Sequence, residues 1–332
     1  MTRRIAFVTG GAGFIGSNIV AKLTEDPSLD VVVCDWLQEA ELGKWRNIAK
    51  HPIGDFVAPE DMFDWLEKRW RDIEIVVHMG AISSTTEPDA DKIIHANFTL
   101  SRDLFRWCAD RQRRFIYASS AATYGDTTDF DDKDDLASLA ALRPLNTYGW
   151  SKALFDLFAA RQAARDYAPP QWVGLKFFNV YGPNEEHKHS MKSVASQIWP
   201  KVAGGQAVQL FKSYREGVAD GGQTRDFVYV RDVADVVAWL ANSEQVNGVY
   251  NLGSGKARTF EDMAKAVFTA AGKPAKIEYT PMPPAIRDKY QYFTQAKMDR
   301  LKAAGFNQPM TALEDGITDY IQTYLSQPDP YR

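Results

Sequence analysis

The chain has little cysteine, little histidine, no long apolar run and no excess of positive charge. Its 332 residues include two cysteines and five histidines, and 39 basic against 43 acidic residues leave a net charge of −4. Neither Cys34 nor Cys108 belongs to a CxxC pair, and both lie in apolar segments. Buried reduced thiols are expected rather than a disulfide. Without a basic field, nothing draws nucleic acid to the surface. The apolar runs are short and interrupted, so no membrane span fits. The opening "MTRRIAFVTGG" enters a strand-like segment at once and lacks the pattern of a secretory signal. Together these absences predict a cytoplasmic protein. There is no internal repeat and no low-complexity tract.

What is present is an ordinary globular composition, 45% hydrophobic and 25% charged. The length suits a main domain with a smaller lobe. In the first half, "RIAFVTG", "VVVCD", "EIVVHMG", "RRFIYASS" and "QWVGLKFFNVYG" read as strands. Between them, "FIGSNIVAKLTED", a stretch from about Asp89 to Arg111, and "TYGWSKALFDLFAARQAARD" read as helices. That alternation predicts an α/β fold with a Rossmann-type doubly wound parallel sheet. Beyond Val180 the pattern loosens. "SMKSVASQIWPKVAGG" reads as a helix, "RDFVYVRDVADVVAWLA" as a strand and a helix capped near Asp232, "GVYNLGSG" as a further strand, and "TFEDMAKAVFTAAG" as a Thr-capped helix. The expected division is a dinucleotide-binding domain of residues 1–178 plus about 228–254. A smaller C-terminal α/β substrate lobe of 179–227 plus about 255–332 would lie over the carboxyl ends of the strands.

"VTGGAGFIGSN" places Gly10, Gly13 and Gly16 between a strand and a helix that begins with Phe14 and Ile15. Glycine allows a tight turn and a close approach to a pyrophosphate, and the helix start offers unpaired N–H groups. Asp35 ends the next strand, where an acid binds the ribose hydroxyls of NAD and repels the extra phosphate of NADP. Trp36 follows, and then "GKWRN" brings Lys44 and Arg46. If that loop folds back, the cations offset the repulsion; otherwise they are a solvated loop. NADP is the expected cofactor, with NAD the alternative.

"TYGWSK" places Tyr148 and Lys152 one helical turn apart on one face. A phenol near its usual pKa of ~10 is a poor base at neutral pH, and an adjacent ammonium lowers it. "YASSAATYG" ends a strand with Ser119 and Ser120, hydroxyls able to orient a substrate alcohol. With "GGAGFIGSN", "HMGAISSTTE", "FFNVYGP", "RDFVYVRDVADV" and "YNLGSG", these segments resemble the extended short-chain dehydrogenase/reductase family nearly end to end. The resemblance implies a catalytic set of Ser120, Tyr148 and Lys152, with Ser119 a neighbour. It implies that Asn97 steadies the lysine, directly or through water. It also implies that Met79, Gly80, Ala81, Ile82 and Ser83 lie along the cofactor, with Val180 nearby. The dehydratase branch carries an acid after its catalytic Thr/Ser, where this chain has Ser120-Ala121-Ala122, so no proton donor for water elimination is evident.

"YGPNEEHKHSM" sets Lys188 between His187 and His189. Three readings compete: a metal site, a solvated loop, or an acid/base facing Tyr148. In an extended loop the two histidines would point the same way, and Glu185 and Glu186 could assist, but the other histidines lie in distant segments, so no metal is expected. An epimerase working by transient oxidation must serve both faces of a carbon, which one tyrosine alone serves poorly. A partly desolvated lysine is a suitable second group. "YGPNEEHKHSM", "PLNTYGWSK" and "YQYFTQAKMDRLKAAGF" resemble the branch of the family that epimerises ADP-heptose, a nucleotide sugar. That resemblance implies Lys188 as the second acid/base. It puts Asn179, Lys188, Ser190, Gln197, Phe211, Arg225 and Tyr290 at substrate positions, and it implies a homo-oligomer. Arg225 would suit the diphosphate; alternatively it is a strand-edge cation. Gln197 stands where the branch tends to have histidine, and the loop at 211–224 looks longer. The alternatives are a C4 epimerase or reductase of a UDP- or GDP-sugar, or a non-catalytic nucleotide-binding protein.

Overall fold

The structure is a computed structural model and describes residues 4–37, 41, 43–287 and 290–332. The first strands are β1 (Arg4–Thr9), β2 (Leu29–Cys34), β3 (Asp55–Val57), β4 (Ile73–His78), β5 (Arg114–Ser120) and β6 (Trp172–Phe177). After β7 (Asn179–Tyr181), β8 (Val208–Phe211) and β9 (Thr224–Tyr229) comes β10 (Gly248–Leu252). Seven of these form one parallel sheet in the order β10-β6-β5-β4-β1-β2-β3. Order reverses beside β1, the switch point at which such sheets hold ligands.

Both faces of the sheet are buried, and alternation along a strand shows it. Ala6 and Val8 of β1 enter one apolar core, and Ile5 and Phe7 enter the other. Val31 and Val33 of β2 divide from Val32 and Cys34 in the same way. Helices α1 (Phe14–Leu23), α2 (Met62–Arg69), α3 (Ala90–Ile94), α4 (Leu100–Arg111), α5 (Leu136–Ala141), α6 (Thr147–Ala163) and α8 (Val230–Ala241) flank this sheet, whereas α7 (Val194–Ala203) and α9 (Phe260–Ala270) pack in the second part. The expected helix from Asp89 to Arg111 is continuous but contains a π-helical turn at His95–Thr99. Such turns recur at functional positions.

The second part has its own apolar core and two small sheets. One is β7, β9 and β11 (Ala257–Thr259); the other pairs β8 with β12 (Ile277–Thr280). The strand in "RDFVYV" therefore belongs to the three-stranded sheet, while that in "GVYNLGSG" completes the large one beside β6. The cap expected near Asp232 is corrected: α8 starts after Tyr229, and the Asp232 carboxylate accepts from the backbone and hydroxyl of Thr311. Thr259 does cap α9, through a reciprocal box with Asp262.

No helix among the described residues is long and apolar enough to cross a membrane. Cys34 and Cys108 are both free and buried. Burial pushes the Cys34 thiol up to about 12, and the Cys108 thiol also rises. Neither thiol should react with Ellman's reagent at pH 8 in the folded protein, and both should react on denaturation; a thiol that titrates natively would contradict this packing.

Candidate active site

The glycine loop closes tightly. Gly10 is left-handed at φ +66°, and a Cβ there would lie 2.5 Å from the Gly80 backbone. A Cβ on Gly16 would overlap the Gly10 carbonyl. The loop thus packs against the "MGAIS" stretch while α1 begins at Phe14 with no side-chain cap. That leaves an uncapped helix N-terminus beside an open glycine turn, which fits a pyrophosphate.

Asp35 is buried and fully engaged. Its Oδ2 accepts from Ala12 N at 3.0 Å, and its Oδ1 accepts from Trp36 N at 2.8 Å and Lys44 Nζ at 2.7 Å. Lys44 also donates to the Trp36 carbonyl at 2.7 Å. The loop therefore folds back with Lys44 on the acid. Arg46 does not join; it lies over the rings of Trp45 and Tyr331. Trp36 is mostly exposed, with its indole N–H on Glu60 at 2.7 Å.

Behind the loop runs a buried polar chain. Gly80 N–H donates to Thr9 Oγ1, which meets His78 Nδ1 at 2.6 Å. His78 Nε2 meets Ser101 Oγ at 2.9 Å, and that hydroxyl donates to the Asn97 carbonyl at 2.6 Å. Since Ser101 spends its proton on Asn97, the ring must donate from Nε2 and accept at Nδ1. A neutral imidazole satisfies this, and burial holds its pKa down at about 3. The Asn97 amide grips both backbone groups of Ile82 at 2.8 and 2.9 Å, and reaches Ser151 Oγ at 3.1 Å. Its side chain thus fixes "MGAIS" and the residue before Lys152, rather than touching Lys152.

Helix α6 starts where the chain needs it. Asn146 Oδ1 accepts from Gly149 N at 2.8 Å, so Tyr148 sits in the first turn. A Cβ on Gly149 would lie 2.6 Å from the Ala122 carbonyl, so glycine lets the helix press against the end of β5. Burial pushes the Tyr148 phenol up, and its contact with Ser120 draws it back. Burial pulls Lys152 down to about 8, opposed by Asp156. Ser120 Oγ accepts from Ala122 N at 3.1 Å, which leaves its proton for the Tyr148 phenol oxygen. Ser119 is committed to Asp156 at 2.7 Å. Sequence reasoning missed Asp156, although it lies four residues beyond Lys152 on the same helix face. It also holds Tyr117 at 3.0 Å and the buried Lys176 at 3.2 Å.

The "HKH" segment is not extended: Glu186–Met191 makes two short tight turns broken by a kink at His189, whose φ is +49°. This overturns the geometry assumed for paired histidines. His187 Nδ1 faces Asn47 Nδ2 at 3.2 Å, and burial lowers its pKa to about 4. Among the described residues, no group of three or more His, Cys, Asp or Glu gathers for a metal. Lys188 Nζ lies 4.9 Å over the Phe14 ring at the start of α1. Burial lowers its pKa and Glu185 opposes that.

Phe211, Arg225 and Tyr290 come together. Arg225 is 8% exposed, with its guanidinium 5.5 Å from the Phe260 ring and 5.2 Å from the Tyr290 ring. Tyr290 meets Phe211 edge-on at 6.3 Å. Such a cation, buried between aromatic faces, is no strand-edge ornament. Asn179 and Ser190 are exposed, and Val180 lies beside Asn179 on β7. Gln197 donates to the carbonyls of Ser190 (3.2 Å) and Lys192 (2.7 Å), so its amide holds the Lys188 segment. The longer loop closes on itself through Ser213 N to Asp220 at 2.7 Å and packs Arg287 over Tyr214.

A doubly wound parallel sheet with a glycine loop at its switch point defines a Rossmann-type α/β protein. More narrowly, the chain belongs to the NAD dependent epimerase/dehydratase family, whose sequence profile matches residues 6–253. It is 47% identical over 327 residues to the ADP-L-glycero-D-manno-heptose-6-epimerase of Nitratidesulfovibrio vulgaris strain DP4, covering 98% of this chain and 99% of that one. The crystal structure of the Helicobacter pylori ADP-L-glycero-D-manno-heptose-6-epimerase superposes with a TM-score of 0.80 at 28% identity, over 97% and 96% of the chains. A Thermus thermophilus UDP-glucose 4-epimerase complex with NAD superposes at 0.71 and 28% identity, over 95% and 96%.

The His78 chain has a pH consequence. The unfolded chain takes up a proton near pH 6.5, whereas the buried ring resists until about 3. Its contribution to stability is therefore complete above pH 6.5 and lost as pH falls towards 3. His78→Asn should unfold more easily at pH 7, by about 1–3 kcal/mol for unpaired buried groups. Its denaturation midpoint should then fall less steeply than that of the wild type between pH 6.5 and 4.

Proposed function

We propose that the chain interconverts ADP-D-glycero-D-manno-heptose and ADP-L-glycero-D-manno-heptose at C6″ by transient oxidation. The observation that carries the reading is a desolvated Lys188 set on the Phe14 ring, where α1 meets the glycine loop. Close likeness over the whole chain to epimerases of this name supports it. A nicotinamide dinucleotide held by the glycine loop, Asp35, Lys44 and the 79–83 stretch would supply the reversible hydride acceptor and stay bound through the cycle.

The residues divide the remaining work. Tyr148 takes the C6″ hydroxyl proton of one epimer, with the Lys152 ammonium one turn away favouring the phenolate. Ser120 donates to the same oxygen. The ketone then presents its opposite face, and Lys188 returns the proton there; for the other epimer the roles exchange. Arg225, between Phe260 and Tyr290, binds the diphosphate, with Phe211, Asn179 and Ser190 around the sugar nucleotide. We place the enzyme in the cytoplasm, as a homo-oligomer serving lipopolysaccharide core synthesis.

The Lys44–Asp35 pair favours NADP. It neutralises the acid that would repel a 2′-phosphate and leaves an ammonium beside it. Lys44→Met should lower NADP affinity at least tenfold relative to NAD, about 1.4 kcal/mol, read by fluorescence titration of the cofactor-free protein. An unchanged preference would return Lys44 to a structural role.

A proton NMR time course with ADP-D-glycero-D-manno-heptose and no added cofactor should show the L-glycero epimer. Lys188→Met should keep its cofactor yet lose activity on the order of 10²-fold or more, as expected for removal of a general acid/base. Wild-type turnover in that variant would sink the two-base mechanism. No conversion by the parent protein, even with NADP or NAD supplied, would move the reading to another nucleotide sugar.

A further inference from the structure

We propose that Tyr331 is a positioning residue for cofactor choice. With Asp329 and Arg332 beside it, it clamps the 43–51 segment, seats Lys44 on Asp35, and thereby sets the preference for NADP over NAD. The effect on that preference rests on the reading of Lys44 under the proposed function; the seating itself does not.

Residues 326–329 are exposed, and Tyr331 then turns inward to 9% exposure. Its ring meets the start of the segment. Gly43 is left-handed at φ +67°, and a Cβ there would lie 2.6 Å from the Tyr331 hydroxyl. Glycine thus lets the phenol close against the turn from which Lys44 springs. The Arg46 guanidinium lies 5.8 Å from the centre of the same ring. The main chain beside Tyr331 meets the other end of the segment. The Tyr331 carbonyl accepts from Lys50 Nζ at 2.6 Å, and Lys50 also pairs with Asp329 at 2.9 Å. His51 Nε2 donates to the main-chain oxygen of Arg332 at 3.3 Å. Arg332 is anchored in turn: its N–H donates to Asn184 at 2.8 Å, and its guanidinium donates to the Asn18 carbonyl of α1 at 3.3 Å.

The segment needs such a clamp. It contributes to none of the three sheets, and Trp45, Arg46 and Lys50 are exposed. Its middle is tied down by Asn47, which donates to the Ala12 carbonyl at 2.8 Å. The Lys44–Asp35 pair is 12% and 8% exposed. Desolvation and lost side-chain freedom offset most of what such a pair gains, so it does not order the backbone beneath it as well. The buried Tyr331 ring and the bonds around it hold that backbone, and Lys44 meets the acid from a fixed turn.

The test uses the full chain exchanged into NAD, which lacks the 2′-phosphate, and labels it with trace acetic anhydride. Acetylation of each lysine is read by mass spectrometry. In Tyr331→Ala, Lys44 should react roughly fivefold faster or more, as its turn opens locally. Lys152 and Lys176, buried elsewhere, should stay protected. Competition between NADP and NAD on the same proteins should show the preference of Tyr331→Ala moving towards that of Lys44→Met. Adding Tyr331→Ala to Lys44→Met should then change the preference no further. If Lys44 opens but Lys44→Met leaves the preference alone, the seating stands and the NADP reading of Lys44 falls by itself. If Lys44 stays protected in Tyr331→Ala, the proposal is overturned. It is overturned equally if Tyr331→Ala weakens both cofactors alike while Lys44→Met shifts their ratio. Should Tyr331→Ala expose Lys152 and Lys176 as well, Lys50→Met loosens the same clamp at the Tyr331 carbonyl and Asp329. A smaller rise in Lys44 reactivity is then expected, and an unchanged rate overturns the proposal.

Discussion

The ion pair between Asp156 and Lys176 has no water on either side, and the site is assembled around it. The two groups are 0% and 1% exposed and 3.2 Å apart. Asp156 comes from α6, Lys176 from β6, and the hydroxyls of Tyr117 and Ser119 from β5. Lys176 continues to Thr123 at 2.7 Å and lies over the Tyr124 ring, just past Ser120. One buried pair thus ties the helix carrying Tyr148 and Lys152 to the strand end carrying Ser120. Removing one partner of such a pair leaves a bare charge in the core, at a cost of about 3–5 kcal/mol. The pair is therefore weak evidence for net stability and strong evidence for a fixed geometry.

The same balance of desolvation and compensation recurs across the cleft. Lys152 loses water and is answered by Asp156; Lys188 loses water and is answered by Glu185. Lys44 is brought onto Asp35 rather than left in solvent. His78 goes the other way and stays uncharged, because its neighbours offer one donor and one acceptor and no anion. Each of these groups has the charge state its partners can support.

The two parts of the chain meet through side chains that sequence patterns do not flag. Asn184, just past the "YGP" turn, donates to Ser17 and to the Asn47 carbonyl and accepts from Arg332 N. Asn18 donates to the Pro183 carbonyl, and Asn47 links the Ala12 carbonyl to His187. The glycine-loop helix, the 44–47 segment and the Lys188 segment are thereby one hydrogen-bonded unit. Lys188 can lie over Phe14 because this unit holds its loop against α1.

Local periodicity was enough to read the parallel sheet, its first helices and the glycine loop. Those elements depend on alternation and turn chemistry within a few residues, and "RIAFVTGGAGFIGSN" contains all of it. Tyr148 and Lys152 were legible for the same reason, being one turn apart on one helix. The cap placed at Asp232 was misread because a residue distant in sequence decides it: Thr311 takes the Asp232 carboxylate. Sequence alone left Lys44 between a solvated loop and a partner for Asp35, and offered Glu185 only as an assisting metal ligand. Only the folded chain sets the first beside an acid at 2.7 Å and closes the second away from water. Burial and charge pairing are properties of neighbours in space, and a linear pattern carries them only when those neighbours lie within a turn or two along the chain.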